Sequence, residues 1–255
     1  MNYDRSGIAR GLAATVLIGF AVTASPVDLS IYSAGAVKAA LSEVAANYER
    51  ATRRHVNVEY APVGTLTRRL ADGDVPDIVI LTGDVMPAAE TNGWVMPGSA
   101  VALGSVGVGV AVREGAIAPD ISTPESFKQA LLAAKSIIYM DPEKGTSGKH
   151  FADVLRRMGI AEAMKAKTTL GNGGYVVEPV ASGEIELGIQ QITEIRPVKG
   201  VKLVGPLPEP FQKLTVYSAA VTTVARDPEA ARHFLAYLRR SENREIFIGK
   251  GFLPP

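Results

Sequence analysis

The sequence predicts an α/β protein of two lobes, each a mainly parallel sheet flanked by helices, with two crossover strands joining them. Three observations carry this. Strand-like and helix-like segments alternate through most of the chain, the pattern that builds parallel sheets. Two long β-rich runs, residues 101–112 and 214–224, are long enough to pass from one lobe to the other. Helical segments follow the second run, so the chain is expected to end in the lobe where it began.

Taken in order, residues 29–32 read as a strand. Val37, Ala40, Leu41, Val44, Ala45 and Tyr48 then recur at helical spacing as one apolar stripe, with Lys38, Glu43 and Arg50 off it. Residues 56–60 form the next strand, and Pro62-Val63-Gly64-Thr65 turns into a short helix closed by Asp72-Gly73. The apolar stretch 77–81 is a strand of the buried parallel type. The first long run, 101–112, is interrupted by Gly104, Gly107 and Gly109. Beyond it come a helix over 124–134, a strand over 136–140, a helix over 148–158 and a strand near 186–190. After the second long run, Asp227-Pro228-Glu229 opens a helix with Ala231, Phe234, Leu235 and Leu238 on one face, and a short helix covers 242–248. The expected division is a signal peptide over 1–24, lobe I over 25–103 plus 220–255, and lobe II over 104–219.

The leader carries Arg5 and Arg10, an uncharged run over 11–24 and small residues at Val22-Thr23-Ala24, the pattern of a cleavable export signal. Its apolar run is shorter than the roughly 20 residues a bilayer crossing needs. Export to the periplasm is therefore expected. No cysteine ends the leader, so a soluble rather than lipid-anchored product is expected.

Composition narrows the function further. The chain has 27 basic and 26 acidic residues, and without the leader 25 of each remain. With no block of like charge, nucleic acid is not an expected partner. The absence of cysteine excludes disulfides and thiolate chemistry, and three histidines show no metal-ligand spacing. No cofactor or metal is implied, and a monomer is expected.

Candidate ligand groups lie where strands turn into helices, because the first amides of a helix have no intrahelical partner and face anions well. Ser33-Ala34-Gly35-Ala36 combines small residues with a hydroxyl, and Gly64-Thr65 offers the same pairing, although Thr65 serves equally as a helix cap. Thr146-Ser147-Gly148 places two hydroxyls at a helix start. The sequence around Gly148-Lys149 is no nucleotide phosphate loop, since Glu143 stands where the first glycine would be needed. Gly173-Gly174-Tyr175 permits close backbone approach beside a phenol, which suits a carboxylate-bearing ligand. Gln190 and Gln191 end a strand and point to opposite faces.

The segments "YSAGAVKAAL", "YAPVGTLTRRLADGDVPDIVILTGD", "YMDPEKGTSGKHF", "GEIELGIQQ" and "YSAAVTTVARDPEAARHFLAYLRR" resemble, in order, the periplasmic molybdate-binding-protein family of ABC transporters. The resemblance implies a type II periplasmic binding fold whose lobes close over a ligand. It also implies departures at the molybdate ligands: Ala36 stands at a family serine, Val63 or Gly64 at a second, and Gln191 at a tyrosine that points at the oxyanion. Losing such donors to a desolvated anion costs about 1–3 kcal/mol each, so an organic carboxylate is expected rather than molybdate. The ligand-binding set is thus Ser33, Ala34, Gly35, Ala36, Gly64, Thr65, Thr146, Ser147, Gly148, Gly174, Tyr175 and Gln191, with Gln191 selected over Gln190 by the resemblance. The implied partners are a small anion and a membrane permease.

Similarity to the same family extends to a periplasmic aconitate isomerase, so the alternative is an isomerase acting on a tricarboxylic acid. That chemistry needs a base. His150, Tyr175 and Glu178 are the candidates near the turns, and none bears a sequence mark of activation, which favours binding over catalysis.

Overall fold

The computed structural model describes Met1 and residues 28–254; residues 2–24 of the expected signal peptide lie outside the described residues. Among the described residues, ten strands form two five-stranded sheets. The first holds β1 (Leu29–Ala34), β2 (Val56–Ala61), β3 (Ile78–Thr82), β4 (Val101–Val106) and β10 (Thr215–Val221) in the order β2-β1-β3-β10-β4. The second holds β5 (Val108–Arg113), β6 (Ile137–Met140), β7 (Thr168–Gly171), β8 (Leu187–Gln191) and β9 (Val201–Pro206) in the order β7-β6-β8-β5-β9.

Both sheets are mixed. β2, β1 and β3 are parallel, as are β7, β6 and β8. The strands beside the crossings break that pattern: β10 runs antiparallel to β3 and β4, and β5 antiparallel to β8 and β9.

The helices are α1 (Lys38–Thr52), α2 (Val63–Ala71), α3 (Met86–Thr91), α4 (Pro124–Ala133), α5 (Thr146–Arg157), α6 (Ala161–Lys165), α7 (Glu178–Ser182), α8 (Ile192–Ile195), α9 (Pro228–Leu238) and α10 (Ser241–Gly249). Their local causes are visible in the sequence. Thr123 and Ser126 form a reciprocal capping box at the start of α4, and the Asp227 side chain accepts from the Ala230 N–H to open α9. α1 buries Ala40, Leu41, Val44, Ala45 and Tyr48, the expected stripe, and a short 3-10 turn over Gly35–Val37 precedes it. Each lobe has its own core. Lobe I centres on Ile31, Leu41, Ile80, Ala219 and Phe234, and lobe II on Val110, Phe127, Ile137, Phe151 and Ile189.

The long apolar run 101–112 is two strands rather than one. β4 ends in the first sheet and β5 begins in the second, so the chain crosses at Gly107. It returns between β9 and β10. The boundaries expected from sequence are 103/104 and 219/220; the strands put the crossings at Gly107 and within residues 207–214, ahead of β10. Gln212 clamps the two connections together, accepting from the Val108 N–H at 3.0 Å and donating to the Val108 carbonyl at 2.9 Å.

An ion pair with a buried carboxylate secures lobe I. Asp77, 1% exposed, accepts from the Ser30 N–H at 2.8 Å, the Arg226 N–H at 2.7 Å and the Arg226 guanidinium at 2.7 Å. Burial alone would push its carboxyl up, but these donors together hold it below the usual carboxylate range.

Candidate ligand site between the lobes

The sheets bring the C-terminal ends of β1, β6 and β8 to a common cleft. Ala34, Gly35 and Ala36 leave β1, Pro62 and Val63 leave β2, Met140 ends β6, and Gly145, Thr146 and Ser147 start α5. Gln191, Glu194 and Tyr217 complete the lining. The space they enclose is small, about 30 Å³, enough for one or two waters or a carboxylate group. A larger groove of about 710 Å³ adjoins it through Val63, Gly145 and Thr146 and carries Lys144, Lys149 and Lys213 along with Asp84, Glu143 and Asp153.

The lobes meet across the cleft. The Gly64 N–H donates to the Lys144 carbonyl at 3.0 Å, and the Lys38 ammonium of lobe I stands 5.2 Å from the ring centre of Tyr175 in lobe II. Deeper in, the Gln191 amide donates to the Tyr217 hydroxyl at 3.1 Å and to the Thr215 hydroxyl at 3.4 Å, tying β8 to β10. The Gln191 carbonyl oxygen is buried without a hydrogen-bond partner.

Of the residues singled out from sequence, Ala34, Gly35, Ala36, Thr146, Ser147 and Gln191 line the enclosed cavity. The others stand elsewhere. Ser33 is fully buried beneath the turn, and its hydroxyl donates to the Ala34 carbonyl at 3.2 Å. Gly64 lines the outer groove, and its amide is taken by Lys144. Thr65 is neither a cap nor a liner of the cavity or groove: Pro62 is the N-cap of α2, and the Thr65 N–H donates to its carbonyl at 2.9 Å.

Thr146 and Ser147 do not precede α5 but form its first turn, with Gly145 as N-cap. Gly148 serves packing, since a Cβ there would lie 1.9 Å from the Met140 carbonyl oxygen. Gly174 gives its carbonyl to the Gln190 amide at 2.8 Å, and Tyr175 faces Lys38 without lining the cavity or the groove. His150 lies in the outer groove with Nε2 2.7 Å from the Phe211 carbonyl, and burial lowers its basicity.

Sequence reasoning missed Glu194. It sits on α8, the four-residue helix that follows Gln191, and its side chain is buried in the cavity wall. Burial pushes its carboxyl up to about 8, against the opposing pull of a hydrogen bond from Gln190. Tyr217 is likewise raised well above the ordinary phenol range by burial, with the nearby Glu194 charge adding to the effect. Among the described residues that line the enclosed cavity there is no arginine, lysine or histidine, and no nearby positive charge pulls this carboxyl down. The available signal was an acid set between Ile192 and Ile195 directly after a buried strand.

Two mixed α/β lobes joined by two direct crossings, with helix starts facing an interlobe cleft, define a type II periplasmic-binding-protein fold. The chain belongs to the bacterial extracellular solute-binding protein family, whose model matches residues 29–253. It is 35% identical over 250 residues to an aconitate isomerase of Pseudomonas sp, covering 95% of this chain and 93% of that one. It is 23% identical over 269 residues to the molybdate-binding protein of Azotobacter vinelandii, covering 99% of each. Among solved structures, the Azotobacter vinelandii periplasmic molybdate-binding protein superposes with a TM-score of 0.76 at 17% identity, over 89% of this chain and 100% of that one. A periplasmic thiamin binding protein gives 0.70 at 17% identity, over 93% and 86%.

Proposed function

We propose that this protein is a periplasmic solute-binding protein that captures a small organic carboxylate between its lobes and delivers it to a membrane permease of the ABC type. The observation that carries this reading is the convergence of the Gly35–Ala36 turn and the first turn of α5, with its Thr146 and Ser147 hydroxyls, on one enclosed space. Helix-start amides and hydroxyls hold an anion without a counter-charge. The enclosed volume of about 30 Å³ fits one carboxylate group, and the remainder of a larger acid would extend into the lysine-bearing outer groove. Ligand bridging both lobes would favour the closed arrangement.

Molybdate suits the cleft less well. Ala36 and Val63 present no hydroxyl to a tetrahedral oxyanion, and Gln191 already spends its amide on Tyr217 and Thr215. A thermal-shift panel of molybdate, tungstate, sulfate and di- and tricarboxylates tests this: stabilisation by a carboxylate is expected, and stabilisation by molybdate alone at micromolar concentration contradicts it.

A second reading, an isomerase acting on a tricarboxylic acid, is favoured by one observation: an uncompensated carboxyl, Glu194, lines the cleft. The 35% identical relative named as an aconitate isomerase supports the same reading. Following trans-aconitate and its cis isomer by proton NMR separates turnover from capture alone.

A further inference from the structure

We propose that Glu194 is the proton-carrying group of the cleft, taking a proton from the methylene of a bound unsaturated polycarboxylic acid and returning it to the far carbon of the same allyl unit. This rests on the isomerase reading and assigns it a base that the turn residues do not supply.

The placement argues for it. Glu194 and Tyr217 are the only ionisable side chains among the residues lining the enclosed cavity. Glu194 is 5% exposed, and the backbone of Gly35 faces it so closely that a Cβ there would lie 2.8 Å from Glu194 Oε1. Glycine at 35 therefore leaves room beside the carboxyl on the lobe I side. The candidates nearest the turns are less well placed. His150 is engaged by the Phe211 carbonyl in the outer groove, Tyr175 stands beside Lys38 and within reach of the Glu194 charge without lining the cavity, and Glu178, exposed at the start of α7, does not line it either.

The step balances with no oxidant or cofactor. The Glu194 carboxylate accepts the proton as the C–H bond breaks, and the released electron pair delocalises through the double bond onto a conjugated carboxylate of the substrate. The Tyr217 hydroxyl and the amides of Gly35–Ala36 and Thr146–Ser147 are the donors available to that developing charge. Glu194 then gives the proton to the other end of the allyl unit. A C–H bond forms there, the double bond has moved, and the carboxylate is restored. A carboxyl raised towards neutral pH suits both halves of such a shuttle.

The test uses the full mature chain with trans-aconitate as probe, in deuterium oxide, followed by proton NMR. Wild-type protein is expected to form the cis isomer, with the transferred proton retained wherever Glu194 returns it before it exchanges with solvent. Glu194→Gln should slow isomerisation by roughly 100-fold or more while trans-aconitate still raises its melting temperature, and Glu194→Asp should fall between. Isomerisation by Glu194→Gln at the wild-type rate overturns the assignment. So does wild-type protein that is stabilised by trans-aconitate yet forms no cis isomer, a result that leaves carboxylate capture standing. If no carboxylate in the panel stabilises the wild type, both the capture reading and this assignment fall.

Discussion

Gly35 and Glu194 face each other across the lobe boundary, with room for a side chain on only one of them: a Cβ at 35 would come within 2.8 Å of Glu194 Oε1. The 3-10 turn that carries Gly35 belongs to lobe I, and α8, which carries Glu194, extends the strand β8 of lobe II. Small residues at this turn make space for an acid from the opposite lobe.

Gly35→Ala should therefore act on the site more than on the fold. The obstructed atom is the far end of a side chain, which can rotate away, and alanine in place of glycine stiffens the unfolded chain by about 0.4–1 kcal/mol. The expected result is a melting temperature within a few degrees of wild type with carboxylate affinity reduced about tenfold, read by thermal denaturation and calorimetry. Unchanged affinity would show that the Glu194 position does not matter for binding.

Glu194 should make the protein less stable as pH rises. Its folded-state value is about 8 and its ordinary value 4.5, so the folded protein holds a proton that the unfolded chain releases. That advantage is complete below about pH 4.5, shrinks as pH climbs towards 8 and is gone above it. At about 1.4 kcal/mol per pH unit, the effect amounts to a few kcal/mol. Glu194→Gln should flatten this slope and melt higher than wild type at pH 8, which denaturation curves across pH 5–9 would measure. A variant that melts lower at pH 8 contradicts the buried, uncompensated carboxyl.

Asp77 should behave in the opposite sense. Asp77→Ala leaves the partly buried Ser30 N–H without its acceptor and frees Arg226, at a cost of about 3 kcal/mol. Because its folded carboxyl lies below the ordinary value of 3.8, its contribution is present above that pH and is lost as pH falls through the folded value. Urea denaturation should show the variant's deficit near pH 7 narrowing as the solution is acidified below pH 4. A deficit that stays constant into acid would contradict the ion pair's role.

Much of the fold was legible because local patterns agree with it. The uninterrupted apolar stretch that becomes β3 is buried on both faces, and the capping aspartate and apolar face of α9 stand where periodicity placed them. Strand direction was less legible. Periodicity gives which residues are buried but not which way a strand runs, so the antiparallel β5 and β10 had to come from the path of the chain. Within the site, turns rich in small residues gave away Gly35, Ala36, Thr146 and Ser147, whose backbone geometry is local. Glu194 was hidden for the converse reason. Its burial depends on α8 packing against a turn some 160 residues earlier, and nothing in a four-residue helix announces that contact.

Calorimetric titration of the best-stabilising carboxylate from the panel, into wild-type protein and Ala36→Phe, tests the central claim most directly. Ala36 is 4% exposed and lines the enclosed cavity, so a phenyl ring there fills the space proposed for the ligand's carboxylate. One site per chain in the wild type, with binding lost in a variant that still melts cooperatively, is the predicted result. Undiminished binding by Ala36→Phe would place the ligand elsewhere and contradict the account.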